Sequence, residues 1–464
     1  MRGPNTYAEL RRRRGWPTSV ARYFPTRPLP ALAVRLRVAT LTLLVLVAIH
    51  FALARWERLW ELFRLVFRGG VLFWDFQIYY TAGYLARSGL GGEIYHLASL
   101  NHWIERLTGN PPESALGYIY PPFFALALSP LSWLSYAAAF RLWFGVEAAA
   151  LPLLAVVLWR LAAPAPAWQR ALLLVATFSS DAVYYVMAGG QVSAFVVLVL
   201  AAVLLLLRGR REATAGGVLA LAVVKPQLVV GVLLLLIMRS RWRALLAFGA
   251  TVGALCLVSL PFLGLKTYVE LFQFLAGQTQ AGGVAGVNYT HMHNWRALLA
   301  SFDLDSNAIV YAATSILISA VSLLGALWAW RAGPARGDGR GDQEWAVALL
   351  LPMLFTPHLW TQDLLVLSLV GALALSQLAR SGVDQRHQAS AAALILVGYV
   401  VLSEAWNLTR QDVSLTFLLL LAMFIWACAR PWGPAEAPEP LRLGEGLRAP
   451  TAALAAADIY RLRD

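Results

Sequence analysis

Between residues 213 and 238 the chain reads ATAGGVLALAVVKPQLVVGVLLLLIM. By length alone this is one membrane crossing, because about 20 apolar residues span a hydrocarbon layer of about 30 Å. Two features argue otherwise. Arginine-rich connectors flank it on both sides, at 208–211 and 239–243. Cytoplasmic connectors collect Lys and Arg, so both ends are expected on the same face of the membrane. In the middle stands Lys225-Pro226. Proline has no N–H for the helical ladder and clashes with the preceding turn, so the helix breaks there. The reading that satisfies both is a pair of half-helices that fold back near Lys225-Pro226. Broken backbone at membrane depth is tolerated where protein or a polar cavity surrounds it.

The rest of the chain agrees with a membrane protein. Of 464 residues, 59% are hydrophobic and 14% charged. A soluble domain is about half apolar and about a quarter charged, and a single core cannot hide such an excess. The net charge of +13 sits in arginines between apolar runs, with no basic, aromatic-lined patch, so nucleic acid is excluded as a partner and the bilayer is included. Eighteen tryptophans suit two membrane interfaces. Two cysteines, Cys256 and Cys428, lie in apolar segments and read as structural.

Residues 1–37 carry nine arginines and one glutamate and read as a basic cytoplasmic arm. The domain expected to span the membrane runs over 38–430, beginning with the apolar run Val38 to Ala54. A cleaved signal peptide competes at that point, since Ala52-Leu53-Ala54 resembles a cleavage site, but the arm is long for an n-region. In residues 55–68 Trp56, Leu59, Trp60, Phe63 and Phe67 share a helical face. That predicts a helix lying in the interface plane, within a first outer loop over about 55–118. Further apolar runs occur at 119–140, 142–159, 171–188, 191–207, 244–265, 306–330, 345–357, 364–379, 388–403 and 413–429. The expected fold is therefore an all-α, polytopic transmembrane protein of about 10–13 helices. Residues 431–464, rich in Pro, Ala and Glu, read as a largely disordered cytoplasmic tail.

Polar residues recur at the ends of apolar runs. Asp75 lies among aromatics in Trp74-Asp75-Phe76-Gln77-Ile78-Tyr79-Tyr80. It is either a general base at the membrane surface or an ordinary helix N-cap. Tyr120-Pro121-Pro122 opens a helix. Gly189-Gly190-Gln191 marks a break. Lys225 costs at least about 2.5 kcal/mol at mid-bilayer unless paired or hydrated. Snorkelling and anion binding both answer that cost, and a lipid phosphate would supply a countercharge. In His291-Met292-His293-Asn294-Trp295-Arg296, two histidines one residue apart lack a definite third ligand, so hydrogen bonding or phosphate contact outranks a metal. Arg296 has the fork to grip phosphate. Thr356-Pro357-His358-Leu359-Trp360-Thr361-Gln362-Asp363 is another polar break. Glu147, Asp181 and Glu404 carry no motif and read as structural or interfacial. Groups of this kind at helix ends are how a cavity at one membrane face is built.

In their order, Asp75-Phe76 with Tyr79-Tyr80 and Ala82-Gly83, Tyr120-Pro121-Pro122, Gly190-Gln191, Lys225-Pro226-Gln227, His293-Asn294-Trp295-Arg296 and Pro357-His358 resemble glycosyltransferase family 87. Its members include bacterial polyprenol-phosphate-mannose-dependent alpha-1,2-mannosyltransferases. The resemblance spans roughly 70–400 and implies the multi-helix fold of the C superfamily of glycosyltransferases. It implies Asp75 as catalytic base, with Lys225, Arg296 and His358 on the donor phosphate. Tyr79, Tyr120, Gln191, His293 and Asn294 are the expected substrate contacts. Many relatives carry two adjacent acids in the first loop, whereas here Phe76 follows Asp75. The expected reaction is inverting transfer of a hexose, in this reading mannose, from a polyprenyl-phosphate sugar to a glycan or glycolipid acceptor at the outer face of the cell membrane. No nucleotide-binding motif, cofactor motif or metal set accompanies it. A transporter or flippase of lipid-linked sugars is the alternative, since it too needs broken helices and buried charge.

Overall fold

A computed structural model describes residues 31–72, 74–111, 117–278, 280, 289, 292–332, 341–380, 396, 399 and 415–429. The basic arm before residue 31, the connector 333–340, most of 381–414 including Glu404, and the tail after 429 lie outside the described residues, as does His291. Among the described residues every regular element is a helix.

Helix α1 covers Ala31–Phe67, of which the residues up to His50 form a compact unit separate from the rest. The predicted boundary between a crossing helix and an interfacial helix is absent: 55–67 continues the same helix. Its packed side is Ala52, Arg55, Leu59, Leu62 and Val66, while Trp56, Trp60 and Phe67 are exposed. Helical periodicity shows that two faces differ. It does not say which faces protein when both solvents, lipid and protein, accept apolar groups. Arg55 makes a buried two-point ion pair with Asp181, at 2.5 and 2.7 Å.

The first loop is more structured than a polar connector. It folds into α2 (Phe76–Arg87), a 3-10 turn at Gly91–Glu93 and α3 (Leu97–Thr108). Helix α2 is buried along nearly its whole length. A side chain at Gly83 would land 2.9 Å from the Leu128 carbonyl, so glycine permits the close approach of α2 to α4 (Pro122–Leu128). The predicted run 119–140 is thus not one helix: α4 ends in a 3-10 turn at Ser129–Trp133, and α5 (Tyr136–Leu161) starts anew.

Four helices among the described residues are long and apolar enough to cross a membrane: α5, Trp242–Gly277 within α11 (Trp242–Gln278), Ala308–Arg331 within α13 (Ala308–Ala332), and Thr361–Arg380. Two more, α6 (Ala167–Phe178) and α7 (Asp181–Gly189), meet at a 46° bend and form either a broken fifth span or a re-entrant pair. The remaining apolar runs form shorter helices. These are α8 (Ser193–Arg208), α9 (Glu212–Leu219) with its 3-10 extension Ala220–Val224, α10 (Pro226–Met238) and α16 (Leu415–Ala429). Between α11 and α13 lies the short α12 (Trp295–Ala300), and α14 (Asp342–Phe355) and α15 (Leu367–Arg380) complete the order.

The fold-back expected at Lys225-Pro226 is present. Proline opens α10, and the two ends of the segment are tied by a Glu212–Arg241 ion pair at 2.5 Å. Added methyls explain the glycines here: one at Gly216 would overlap the Ala244 carbonyl, and one at Gly231 the Ala348 carbonyl. A second hairpin stands beside the first. Asp342, at the start of α14, pairs with Arg380 at the end of α15 and with Arg208 at the end of α8. Arg239 pairs with Glu344. One end of this bundle is therefore a belt of arginine–carboxylate pairs. From the belt, α8, α10 and α14 rise 16, 13 and 14 residues, about 20–24 Å at 1.5 Å per residue. All fall short of the ~30 Å hydrocarbon thickness. Their far ends, with the tips of both hairpins, converge on a polar cluster.

Candidate active site

The chain turns from α7 into α8 through Gly190, whose φ of +68° favours glycine. A side chain there would also come within 2.9 Å of Phe76 Cβ, so the turn can press against the start of α2. The Trp143 indole donates to the Gly190 carbonyl at 2.9 Å and pins the turn from α5. Gln191 is thereby held opposite Asp75, and its amide Nε2 donates to Asp75 Oδ2.

The other end of the amide is also used. Tyr79 donates to the Tyr120 hydroxyl at 2.6 Å, Tyr120 donates in turn to Gln191 Oε1 at 3.3 Å, and the Tyr79 oxygen lies 3.2 Å from the same Oε1. A phenol donor on the oxygen leaves the NH2 group facing the carboxylate, which fixes the amide orientation. Asp75 stands at the N-cap position of α2, but its side chain makes no capping hydrogen bond and is turned instead to Gln191. Burial pushes its carboxyl above the usual carboxylate range. The Gln191 hydrogen bond and the Lys225 charge pull it down, and Asp363 pushes it up. Asp75 retains partial exposure, whereas Gln191, Lys225 and Asp363 are buried.

Lys225 sits at the tip of the first hairpin. Its ammonium donates to Asp363 Oδ1 at 2.5 Å and to Ser193 Oγ at 2.8 Å, and Ser193 donates to the same carboxylate oxygen at 3.1 Å. The countercharge expected from a lipid phosphate is supplied in this structure by Asp363. Breaking such a pair by removing one partner costs about 3–5 kcal/mol. Asp75 and this pair are electrostatic neighbours, since both charges act on the Asp75 carboxyl. Ser193 follows Gln191 by two residues and so ties the two clusters together along the chain.

An ionisable carboxylate, an amide that orients it, a buried cation and an aromatic wall of Tyr79, Tyr120 and Phe124 form one polar site at the ends of short, broken helices. The sequence profile of glycosyltransferase family 87 matches residues 118–357, just over half of the chain. The chain belongs to glycosyltransferase family 87. It is a membrane glycosyltransferase, and family membership decides for an enzyme over a transporter. Searches of curated proteins and of solved structures found no match.

The family 87 match includes Tyr120, Gln191, Lys225 and the His293–Arg296 segment. Asp75 and Asp363 lie outside it, so their assignment rests on geometry.

Of the residues singled out in the sequence, the structure brings Asp75, Tyr79, Tyr120, Gln191 and Lys225 together. His293 and Asn294 are buried, with side chains joined to the tip of the second hairpin: His293 Nε2 meets Thr361 Oγ1 at 2.9 Å and Asn294 Nδ2 donates to the Thr356 carbonyl at 3.0 Å. His358 stands partly exposed on that tip. Arg296, expected on phosphate, is fully buried, lies 3.6 Å from the Tyr289 ring and 5.2 Å from that of Tyr311, and donates to the Gln280 carbonyl. Among the described residues no three His, Cys, Asp or Glu side chains are grouped to hold a metal.

Sequence reasoning gave no role to Asp363, Ser193 or Trp143. Asp363 carried one usable signal. A buried lysine in a half-helix needs an acid, and Asp363 follows a proline break in an apolar run.

Proposed function

We propose that this enzyme transfers a hexose, in our reading mannose, from a polyprenyl-phosphate sugar to a glycan or glycolipid acceptor, at the outer face of the cell membrane and with inversion. The acceptor hydroxyl gives its proton to Asp75. Its oxygen forms a bond to the anomeric carbon as the bond from that carbon to the phosphate oxygen breaks. The polyprenyl phosphate leaves with the electron pair, and Lys225 stabilises its charge. We assign His358 as a second contact to the phosphate, and Arg296 to holding the loop that Tyr289 and Tyr311 frame.

The observation that carries this reading is that one turn holds both groups: Gln191 bonds Asp75 and Ser193, two residues on, bonds Lys225, a carboxylate and a cation from segments far apart in sequence. A base for the acceptor and a charge for the leaving group are the two needs of glycosyl transfer from a phosphate. A single carboxylate on the acceptor side favours direct displacement, hence inversion. The shortness of the helices that reach the site also supports a lipid-linked donor, because they set the polar cluster below the far membrane surface. The arginine belt at the other end supports reading that end as cytoplasmic by the positive-inside rule, and with it a site toward the outer side.

The test is transfer from polyprenyl-phosphate mannose to an oligosaccharide by purified wild type and Asp75→Asn. Loss of a positioned general base costs about 10²–10⁴-fold. Retention of wild-type transfer in a folded Asp75→Asn variant rejects Asp75 as the base. Absence of transfer in wild type, with activity from another sugar phosphate, rejects mannose alone.

A further inference from the structure

The polypeptide between α14 and the 3-10 turn Thr361–Val366 has no regular structure. Its carbonyls cannot be satisfied by a helical ladder, and at membrane depth an unpaired backbone group is costly. The loop answers two of them itself, through the Thr356 hydroxyl to the His358 carbonyl and the Asp363 N–H to the Trp360 carbonyl, and one short segment supplies further donors. The His293 backbone N–H donates to the Leu359 carbonyl at 2.9 Å. Asn294 Nδ2 reaches the Thr356 carbonyl at 3.0 Å, and the Trp295 indole reaches the Phe355 carbonyl at 3.2 Å. The His293 ring meets the Thr361 hydroxyl at 2.9 Å. Asn294 is itself locked, since its Oδ1 accepts from the Ala297 N–H at 3.1 Å. All three side chains are buried.

The clamped tip leads directly to Asp363. One carboxylate oxygen takes the Lys225 ammonium and the other accepts the Trp360 N–H at 3.4 Å, so Asp363 is fixed by the same loop that the clamp holds. We propose that His293-Asn294-Trp295 is a positioning device that holds the tip of the second hairpin so that Asp363 anchors Lys225. These residues then act on the reaction through Lys225, without touching substrate. That catalytic consequence rests on the function proposed above; the placement of Lys225 does not.

The lysine content makes the test direct. The chain has two lysines, Lys225 and Lys266, with side-chain exposures of 4% and 83%. Full-length protein in nanodiscs is treated with an amine-acylating reagent, and labelling at each lysine is read by mass spectrometry. In wild type Lys225 is protected and Lys266 is labelled. In Thr361→Val, which removes only the hydroxyl partner of His293, and in His293→Ala, Lys225 labelling relative to Lys266 rises about tenfold, equivalent to about 1.4 kcal/mol of lost protection. In His293→Gln, whose amide can still reach the Thr361 hydroxyl, protection returns.

Unchanged Lys225 labelling in folded Thr361→Val and His293→Ala overturns the proposal. So does equal labelling in His293→Ala and His293→Gln, because the histidine contact would then not be what matters. If the alanine variant does not fold, Thr361→Val decides alone. No substrate is involved, so failure here is distinct from failure of the transferase reading. Where transfer is measurable, His293→Ala raises KM for the donor and leaves KM for the acceptor unchanged.

Discussion

Gln191→Met moves the acid limb of the pH–rate profile upward. Gln191 Nε2 donates to Asp75, and this hydrogen bond favours the ionised carboxylate against the burial that raises its pKa. Methionine keeps the volume and removes the donor. A hydrogen bond to a charged group contributes about 1.5–3 kcal/mol. The ionised carboxylate accepts this bond more strongly than the protonated carboxyl does, so its loss raises the Asp75 pKa. A general base works ionised, so activity is lost as pH falls through that pKa. In the variant the loss begins at higher pH, and activity recovers toward wild type well above the limb. The assay is initial transfer rate across pH in nanodiscs, with a pH-stability control on each variant. A limb that stays in place while the rate drops uniformly would refute the reasoning, because Gln191 would then act on substrate or fold and not on the proton affinity of Asp75. A downward shift would refute it more strongly.

Other outcomes follow from the same geometry. Asp363→Asn leaves Lys225 without its carboxylate and lowers stability by about 3–5 kcal/mol, read as the denaturation midpoint in detergent; Asp363→Asn combined with Lys225→Met recovers much of that loss. Equal stability of Asp363→Asn and wild type contradicts the pair. Gly231→Ala drives a methyl into the Ala348 carbonyl and separates α10 from α14, which costs about 1–3 kcal/mol, whereas Gly249→Ala, where an added methyl meets open space, is tolerated. Thermal midpoints of the two variants check the contrast.

The first hairpin was legible because its signals are local. Arginines at both ends of 213–238 and proline after Lys225 require a fold-back whatever the rest of the chain does. The second hairpin was half legible. A polar break at Thr356–Asp363 was evident, but the closure of its ends by Asp342 and Arg380 depends on a pairing that no periodicity announces. The amphipathic stretch after Arg55 was expected as a helix of its own and is instead the last part of α1. Its aromatic side is exposed and its packed side includes an arginine, and apolar patterning cannot separate lipid from protein as the neighbour.

Within the site, residue types were readable and partnerships were not. Asp75 and Gln191 are 116 positions apart, and Lys225 and Asp363 are 138 apart. Such contacts exist only after the helices have packed. The same limit explains His293 and Asn294. Their polarity suggested substrate, while their partners are carbonyl and hydroxyl groups of a loop that sequence alone does not bring near.

The site account is tested most directly by a cryo-EM map of the full chain in nanodiscs with a polyprenyl-phosphate sugar bound. It predicts phosphate density within hydrogen-bonding distance of Lys225 Nζ, with the sugar lying toward the Asp75 carboxylate on the aromatic side lined by Tyr79 and Tyr120. Headgroup density at the arginine belt, or in a cleft that Asp75 does not border, would contradict it.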